Sequence, residues 1–177
     1  KTAAATPDDF YAFFRNLLTS DAEIIYTGIG STLSSTLQNA HIARSEFSEE
    51  EQARIHLVDS LNLSTGIGLL LLKAASFREI GDSATEIVKK MEVLVPKVRT
   101  QFVVETLEYL HKGGRCSSTS KIFGTVLRIK PMIKVIDGKM GVWKKPIGPF
   151  KKALGIMVDE FLECFEDVDK EFVFITH

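Results

Sequence analysis

Ile24-Ile25-Tyr26-Thr27-Gly28-Ile29-Gly30-Ser31-Thr32-Leu33-Ser34-Ser35-Thr36 changes character half-way along. A short apolar run closes in glycines and hydroxyls, and Leu33, Leu37 and Ala40 then stand at helical spacing. This pattern predicts a strand over Ile24–Ile29, a small-residue loop and a helix to about Arg44. Such a unit leaves unpaired backbone N–H groups at the mouth of the helix, where an oxyanion can be held. Ser31, Thr32, Ser34 and Ser35 surround that mouth, and the stretch contains no carboxylate. The expectation is an anion site built from neutral donors.

The same grammar repeats downstream. Arg54–Val58 reads as a second strand closing in Asp59-Ser60, and Leu61-Asn62-Leu63-Ser64-Thr65-Gly66-Ile67-Gly68 is another hydroxyl- and glycine-rich loop opening a helix. That helix is expected to run to Ile80 and stop at Gly81. Between the two units, Glu49-Glu50-Glu51 reads as a solvated face. Ser83 with Glu86 forms a capping box for a further helix, whose apolar face is Ile87, Met91, Leu94 and Val95. Upstream, Thr6-Pro7-Asp8-Asp9 is a helix entrance, followed by Phe10, Phe13, Phe14, Leu17 and Leu18 as one core-facing stripe. Short strands alternating with longer helices predict βαβ units and a parallel sheet.

Pro96 ends that regime. Beyond it the pattern predicts a strand over Thr100–Glu105, a short helix through Leu107 and Leu110, and the turn Lys112-Gly113-Gly114-Arg115. Ser117–Leu127 reads as helical, and Ile129–Ile136 with Met140–Lys144 as a hairpin about Asp137-Gly138. An amphipathic helix over Phe150–Phe165 and a last strand over Phe172–Thr176 follow. The fold class is α/β: a parallel-sheet domain over residues 1–96, then a smaller α+β domain over 97–177. Charge divides within the second part. Lys130, Lys134, Lys139, Lys144, Lys145, Lys151 and Lys152 fall in one segment, and acids dominate Asp159–Glu171. These are two solvated faces or a docking surface for an acidic partner.

Composition narrows the function classes. The 177 residues are 45% apolar and 25% charged with a net charge of −1, so no global field recruits nucleic acid. Cys116 and Cys164 are the only cysteines, which argues for a reducing, cytoplasmic setting over a disulfide scaffold. The apolar run at Ile67–Leu72 is too short to span a bilayer. The first residues carry neither a signal-peptide pattern nor an initiating Met, so Lys1 is not expected to be the biological start. His41, His56 and His111 have no ligand spacing with the cysteines, and no metal or cofactor is expected.

Several segments in order resemble the DegV family of bacterial fatty-acid-binding proteins, with its EDD fold. Glu105-Thr106-Leu107-Glu108-Tyr109-Leu110-His111-Lys112-Gly113-Gly114-Arg115 is similar to that family's Lys-Gly-Gly-Arg run. Leu33-Ser34-Ser35-Thr36-Leu37-Gln38-Asn39-Ala40 resembles its first helix start. Val58-Asp59-Ser60 with Ser64 and Gly66, and Leu127-Arg128-Ile129-Lys130-Pro131, match in order and spacing. The resemblance implies a non-enzymatic carrier that binds one long-chain fatty acid between two domains. A separate ATP-dependent fatty-acid kinase then phosphorylates the presented carboxylate to an acyl phosphate. It also implies a transient contact with the membrane surface. By position in the motifs, Thr2 and Ser31 match the carboxylate-holding threonine and serine, and His177 matches a histidine near the head group. Three departures stand out. Ala3-Ala4-Ala5 replaces a Ser-Gln-Pro segment, and Gly148 occupies the position of an arginine used in kinase coupling. The family's first strand, with its Asp-Ser pair, and its final strand and loop fall outside these residues, so a partial chain is expected.

The physical chemistry suits that reading. Burying ~14 methylenes yields on the order of 11 kcal/mol gross, before ordering costs. Hydroxyl and amide donors hold a carboxylate without a full positive charge beside it, which leaves the carboxylate nucleophilic. Ser34 and Ser35 also suit plain N-capping with a secondary ligand role, and Arg115 serves either the ligand, the partner or its own turn. Two other classes stay open. A serine hydrolase or acyl-transfer enzyme would use Ser31 or Ser34 with His177, although no Gly-x-Ser-x-Gly elbow occurs. A phosphate-binding module is suggested by Gly28-x-Gly30, which lacks the third glycine of the dinucleotide fingerprint.

Overall fold

The computed structural model describes residues 3–18, 21–115 and 129–176, which form two compact units, 1–98 and 99–177. In the first unit, α1 (Pro7–Leu17) opens on a capping box in which Thr6 and Asp9 exchange side-chain and backbone bonds. Strands β1 (Ile24–Gly28) and β2 (Ile55–Asp59) pair in parallel from Ile24↔Ile55 to Gly28↔Asp59. Between them lie α2 (Thr36–Ser45) and the short α3 (Glu49–Ala53), and after them come α4 (Thr65–Glu79) and α5 (Ala84–Leu94).

Strand alternation sends side chains to two opposite faces, and both are covered. On one face Ile24, Tyr26, Ile55 and Leu57 pack with Phe10, Phe14 and Leu18 of the α1 region, Ala40 and Ala43 of α2, and Phe47. The Tyr26 ring meets Phe10 edge-on at 5.1 Å between centroids. On the other face Ile25 and Val58 pack with Leu70 of α4, with Ile87 and Met91 of α5, and with Val95. A continuous apolar strand flanked by helices is the signature of a parallel βαβ layer.

The second unit is antiparallel. Strands β3 (Thr100–Val103), β4 (Met132–Ile136) and β5 (Lys139–Lys144) lie in that order, with α6 (Glu108–Lys112) after β3 and α7 (Phe150–Glu163) after β5. Asp137 at φ 49° and Gly138 at φ 75° form the hairpin turn, because a type I′ turn needs both central residues at positive φ. A register shift between Met132 and Ile133 leaves Trp143 as the extra residue of a bulge.

Four expectations are corrected. Phe13 and Leu17 of α1 are 55% and 39% exposed, because only the Phe10–Phe14–Leu18 edge of the stripe faces the sheet. The loop after β1 is longer than periodicity suggested, and α2 begins at Thr36. Glu49-Glu50-Glu51, with Glu49 and Glu50 exposed, opens α3 behind a reciprocal Ser48–Glu51 box, where acids also suit the helix dipole. β3 ends at Val103 and β4 starts at Met132, with Ile129 reduced to an isolated bridge to Ile147. The last strand does not form: residues 172–176 pair with no strand among the described residues, and Ile175 is 93% exposed. A strand exists only through a partner's hydrogen bonds, however β-prone its residues. The helix expected at Ser117–Leu127 lies outside the described residues.

Candidate functional site

Both loops singled out by the sequence leave the carboxyl ends of paired strands, since Gly28 and Asp59 are register partners. They are tied together by an unbroken set of hydrogen bonds. Ser60 Oγ donates to the Gly28 carbonyl at 2.6 Å, and the Gly30 amide donates to the Asn62 carbonyl at 2.8 Å. The Ser31 amide donates to Asp59 Oδ1 at 3.2 Å, and the same oxygen accepts from the Leu61 amide at 3.0 Å. Ser60 and Asn62 are 0% and 2% exposed, so their polar atoms must be paired, and the Asn62 amide donates back to Ser60 Oγ at 3.0 Å. Gly30 sits so close that a Cβ there would lie 3.0 Å from Leu61 Cα and from the Asn62 nitrogen. Leu61 (φ 47°) and Ser64 (φ 48°) take up left-handed conformations to make the second loop fit.

On this platform the hydroxyls divide by role. Ser31 and Thr32 are exposed, and the Ser31 hydroxyl is left without a hydrogen bond among the described residues. Ser34 Oγ lies 2.7 Å from Thr36 Oγ1 and accepts from the Thr36 amide at 3.2 Å, so it caps α2. Ser35 occupies the N-cap position without a side-chain cap bond and is exposed. Thr27 Oγ1, at the end of β1, is buried with no partner among the described residues. These four serines and threonines of the loop stand together between Gly30 and Thr36. Arg115, in the other unit, donates from its guanidinium to the Gly113 carbonyl and so braces the Gly-Gly-Arg turn. Thr2 and His177 lie outside the described residues.

One expectation about this mouth is overturned. The stretch from Ile24 to Thr36 holds no carboxylate of its own, yet Asp59 reaches the mouth from β2 and occupies the Ser31 amide. Proximity in space across 28 positions is what the local stretch could not display. The signal was available in Asp59-Ser60 closing an apolar run, since Asp at such a place bonds amides two residues on. Asp59 Oδ1 is thereby engaged by two backbone amides, one from each loop. Among the described residues, no cluster of three His, Cys, Asp or Glu side chains could hold a metal, and no helix is long and apolar enough to cross a membrane.

Fold and loop together define a class: a two-unit α/β protein with a hydroxyl-lined loop at the carboxyl edge of parallel strands, the place where open α/β sheets take ligands. The family described as "Uncharacterised protein, DegV family" matches residues 1–177, and the chain belongs to it. A DegV domain-containing protein of Caldanaerobacter subterraneus subsp. tengcongensis is 37% identical over 158 residues, covering 89% of this chain and 55% of the relative. The structure of a DegV family protein from Thermus thermophilus, described for its fatty acid binding, superposes with a TM-score of 0.81 at 29% identity. That match covers 92% of this chain and 56% of the other. The Fak B3 protein of the Streptococcus pneumoniae fatty acid kinase, loaded with linoleic acid, gives a TM-score of 0.78 at 25% identity over 92% of this chain and 57% of the other. The chain thus spans little more than half the length of these relatives.

Proposed function

We propose that this chain is the head-group-binding part of a cytoplasmic, non-enzymatic fatty-acid carrier. Ser31 and Thr32 hold the carboxylate of a long-chain acid, with Thr2 and His177 completing the grip, Ser35 near it and Ser34 shaping the loop. The carrier presents that carboxylate to a separate ATP-dependent fatty-acid kinase, which converts it to an acyl phosphate. Arg115, braced on its own turn, serves the ligand or the partner. The observation that carries the reading is the exposed Ser31 on a zipped platform at the carboxyl edge of the parallel strands. Its support from outside the chain is the family, whose solved members include proteins described as binding fatty acids. Neutral donors suit the task, because a carboxylate clamped by arginine would be a poorer nucleophile toward ATP.

Native mass spectrometry of the purified protein, followed by denaturing lipid extraction, tests the first half. A bound long-chain fatty acid is the expected result. A folded protein that carries none and does not compete with a fluorescent fatty acid would refute it. Incubation with ATP and a cognate kinase tests the second half through the yield of acyl phosphate.

A further inference from the structure

The mouth contains a charge of the wrong sign for an anion site, and its placement is specific. Asp59 Oδ1 accepts from the Ser31 amide at 3.2 Å and the Leu61 amide at 3.0 Å, so one oxygen holds both loops. No lysine, arginine or histidine pairs with this carboxylate among the described residues. Among the described residues its charge is answered by backbone amides, and it stands behind the exposed Ser31.

We propose that Asp59 is the positioning and charge-filtering residue of the mouth: it clamps the Ser31 amide, leaves the Ser31 hydroxyl to the incoming head group, and discriminates against head groups carrying more than one negative charge. This rests on the fatty-acid reading of the site and adds a selection rule to it. A carboxylate brings one charge, whereas a phosphate monoester brings about −1.5 to −2 at neutral pH and meets correspondingly greater repulsion. Two consequences follow. A phosphate monoester, whether of a lipid or of a nucleotide, is turned away although hydroxyls and a helix mouth would otherwise welcome it. An acyl phosphate is held less firmly than the acid from which it was made, which favours release of product.

Two variants separate clamp from charge. Asp59→Asn keeps an oxygen acceptor for the Ser31 amide and removes the charge; Asp59→Ala removes both. In the ligand-free protein, hydrogen exchange at the Ser31 amide should be close to wild type in Asp59→Asn and roughly tenfold faster or more in Asp59→Ala. Equal protection in wild type and Asp59→Ala would overturn the clamp. Displacement of a fluorescent fatty acid by palmitate and by hexadecyl phosphate reads the filter. Wild type should prefer palmitate, and Asp59→Asn should narrow that preference by roughly three- to tenfold. An unchanged preference in Asp59→Asn would overturn the filter, and this variant decides the matter even where Asp59→Ala fails to fold. A wild-type protein that binds neither amphiphile refutes the fatty-acid reading and the filter with it, while the Ser31 exchange, measured without lipid, still decides the clamp.

Discussion

The carboxyl edge of the parallel strands and the antiparallel sheet under α7 treat polar groups in opposite ways. At the first, the buried polar atoms of Ser60 and Asn62 are taken up by backbone partners, and Ser31 is left exposed. At the second, charges close on each other. Glu160 of α7 meets Lys144 at 2.7 Å and Lys134 at 2.9 Å, and accepts from Trp143 Nε1 at 2.8 Å, while Lys134 also lies 4.1 Å above the Trp143 ring. The ion cluster fastens a helix to a sheet. The loop platform is held by backbone amides, one serine and one carboxylate, and keeps the Ser31 hydroxyl exposed. Two of the seven lysines that looked like a basic docking face are thus structural, and Lys130 is paired with Glu105 in addition.

Removing the donors should produce the largest effect on function. Thr2→Ala with Ser31→Ala deletes two charge-assisted hydrogen bonds and should weaken fatty-acid binding by about 3 kcal/mol, read by fluorescent fatty-acid titration. Undiminished affinity would place the head group elsewhere. Gly30→Ala attacks the platform itself. Its methyl would meet backbone atoms of Leu61 and Asn62 at 3.0–3.1 Å, and backbone cannot rotate aside. A loss of about 2 kcal/mol in chemical denaturation is expected, together with weaker lipid binding. Weaker lipid binding without any loss of stability would show that the zipped loops are less rigid than their contacts imply.

The ion cluster is probed by acid. Burial alone would raise the Glu160 pKa, but hydrogen bonds from Lys144, Lys134 and Trp143 outweigh it and bring it down to about 2. A carboxylate whose folded pKa is depressed contributes stability that is complete above its unfolded value of 4.5 and is lost as pH falls from there through about 2. The second unit should therefore lose on the order of 2 kcal/mol across that window and vary little with Glu160 above about pH 6. Trp143, the only tryptophan, reports it directly by fluorescence in urea titrations at stepped pH. Glu160→Gln should flatten the profile in this window; an unchanged acid slope would assign it to other carboxylates.

What was legible in the sequence was local. The helix entrance at Thr6, the capping box at Ser83, the Asp137-Gly138 turn and the strand–loop–helix unit beginning at Ile24 each depend on residues within a few positions, and each forms. What escaped depends on distant partners. Asp59 matters because β2 lies beside β1, which no window around Ser31 contains. Glu160 gathers lysines from two strands, and its isolated place in α7 looks like one more solvated acid. Residues 172–176 have the composition of a strand, but composition supplies no neighbour. Of the candidate site, the loop was readable and its tether was not.

The smallest expected effect concerns Gly148, which stands where the family arginine was expected. Its φ of +131° lies in a region that residues with a Cβ rarely enter, so an arginine cannot simply be restored on this backbone. The space is open, with only Lys152 Cδ in contact at 3.6 Å, so the cost is conformational and not steric. Gly148→Ala and Gly148→Arg should then lose the same amount, about 1 kcal/mol, because the strain belongs to the backbone and not to the side chain. The alanine variant is thus the control that isolates the guanidinium. If that group couples the carrier to its kinase, Gly148→Arg should raise the acyl-phosphate yield above Gly148→Ala at equal stability. Equal yields would mean that the loop before α7 plays no part in phosphotransfer, and the contrast between a working mouth and a purely structural second sheet would become sharper.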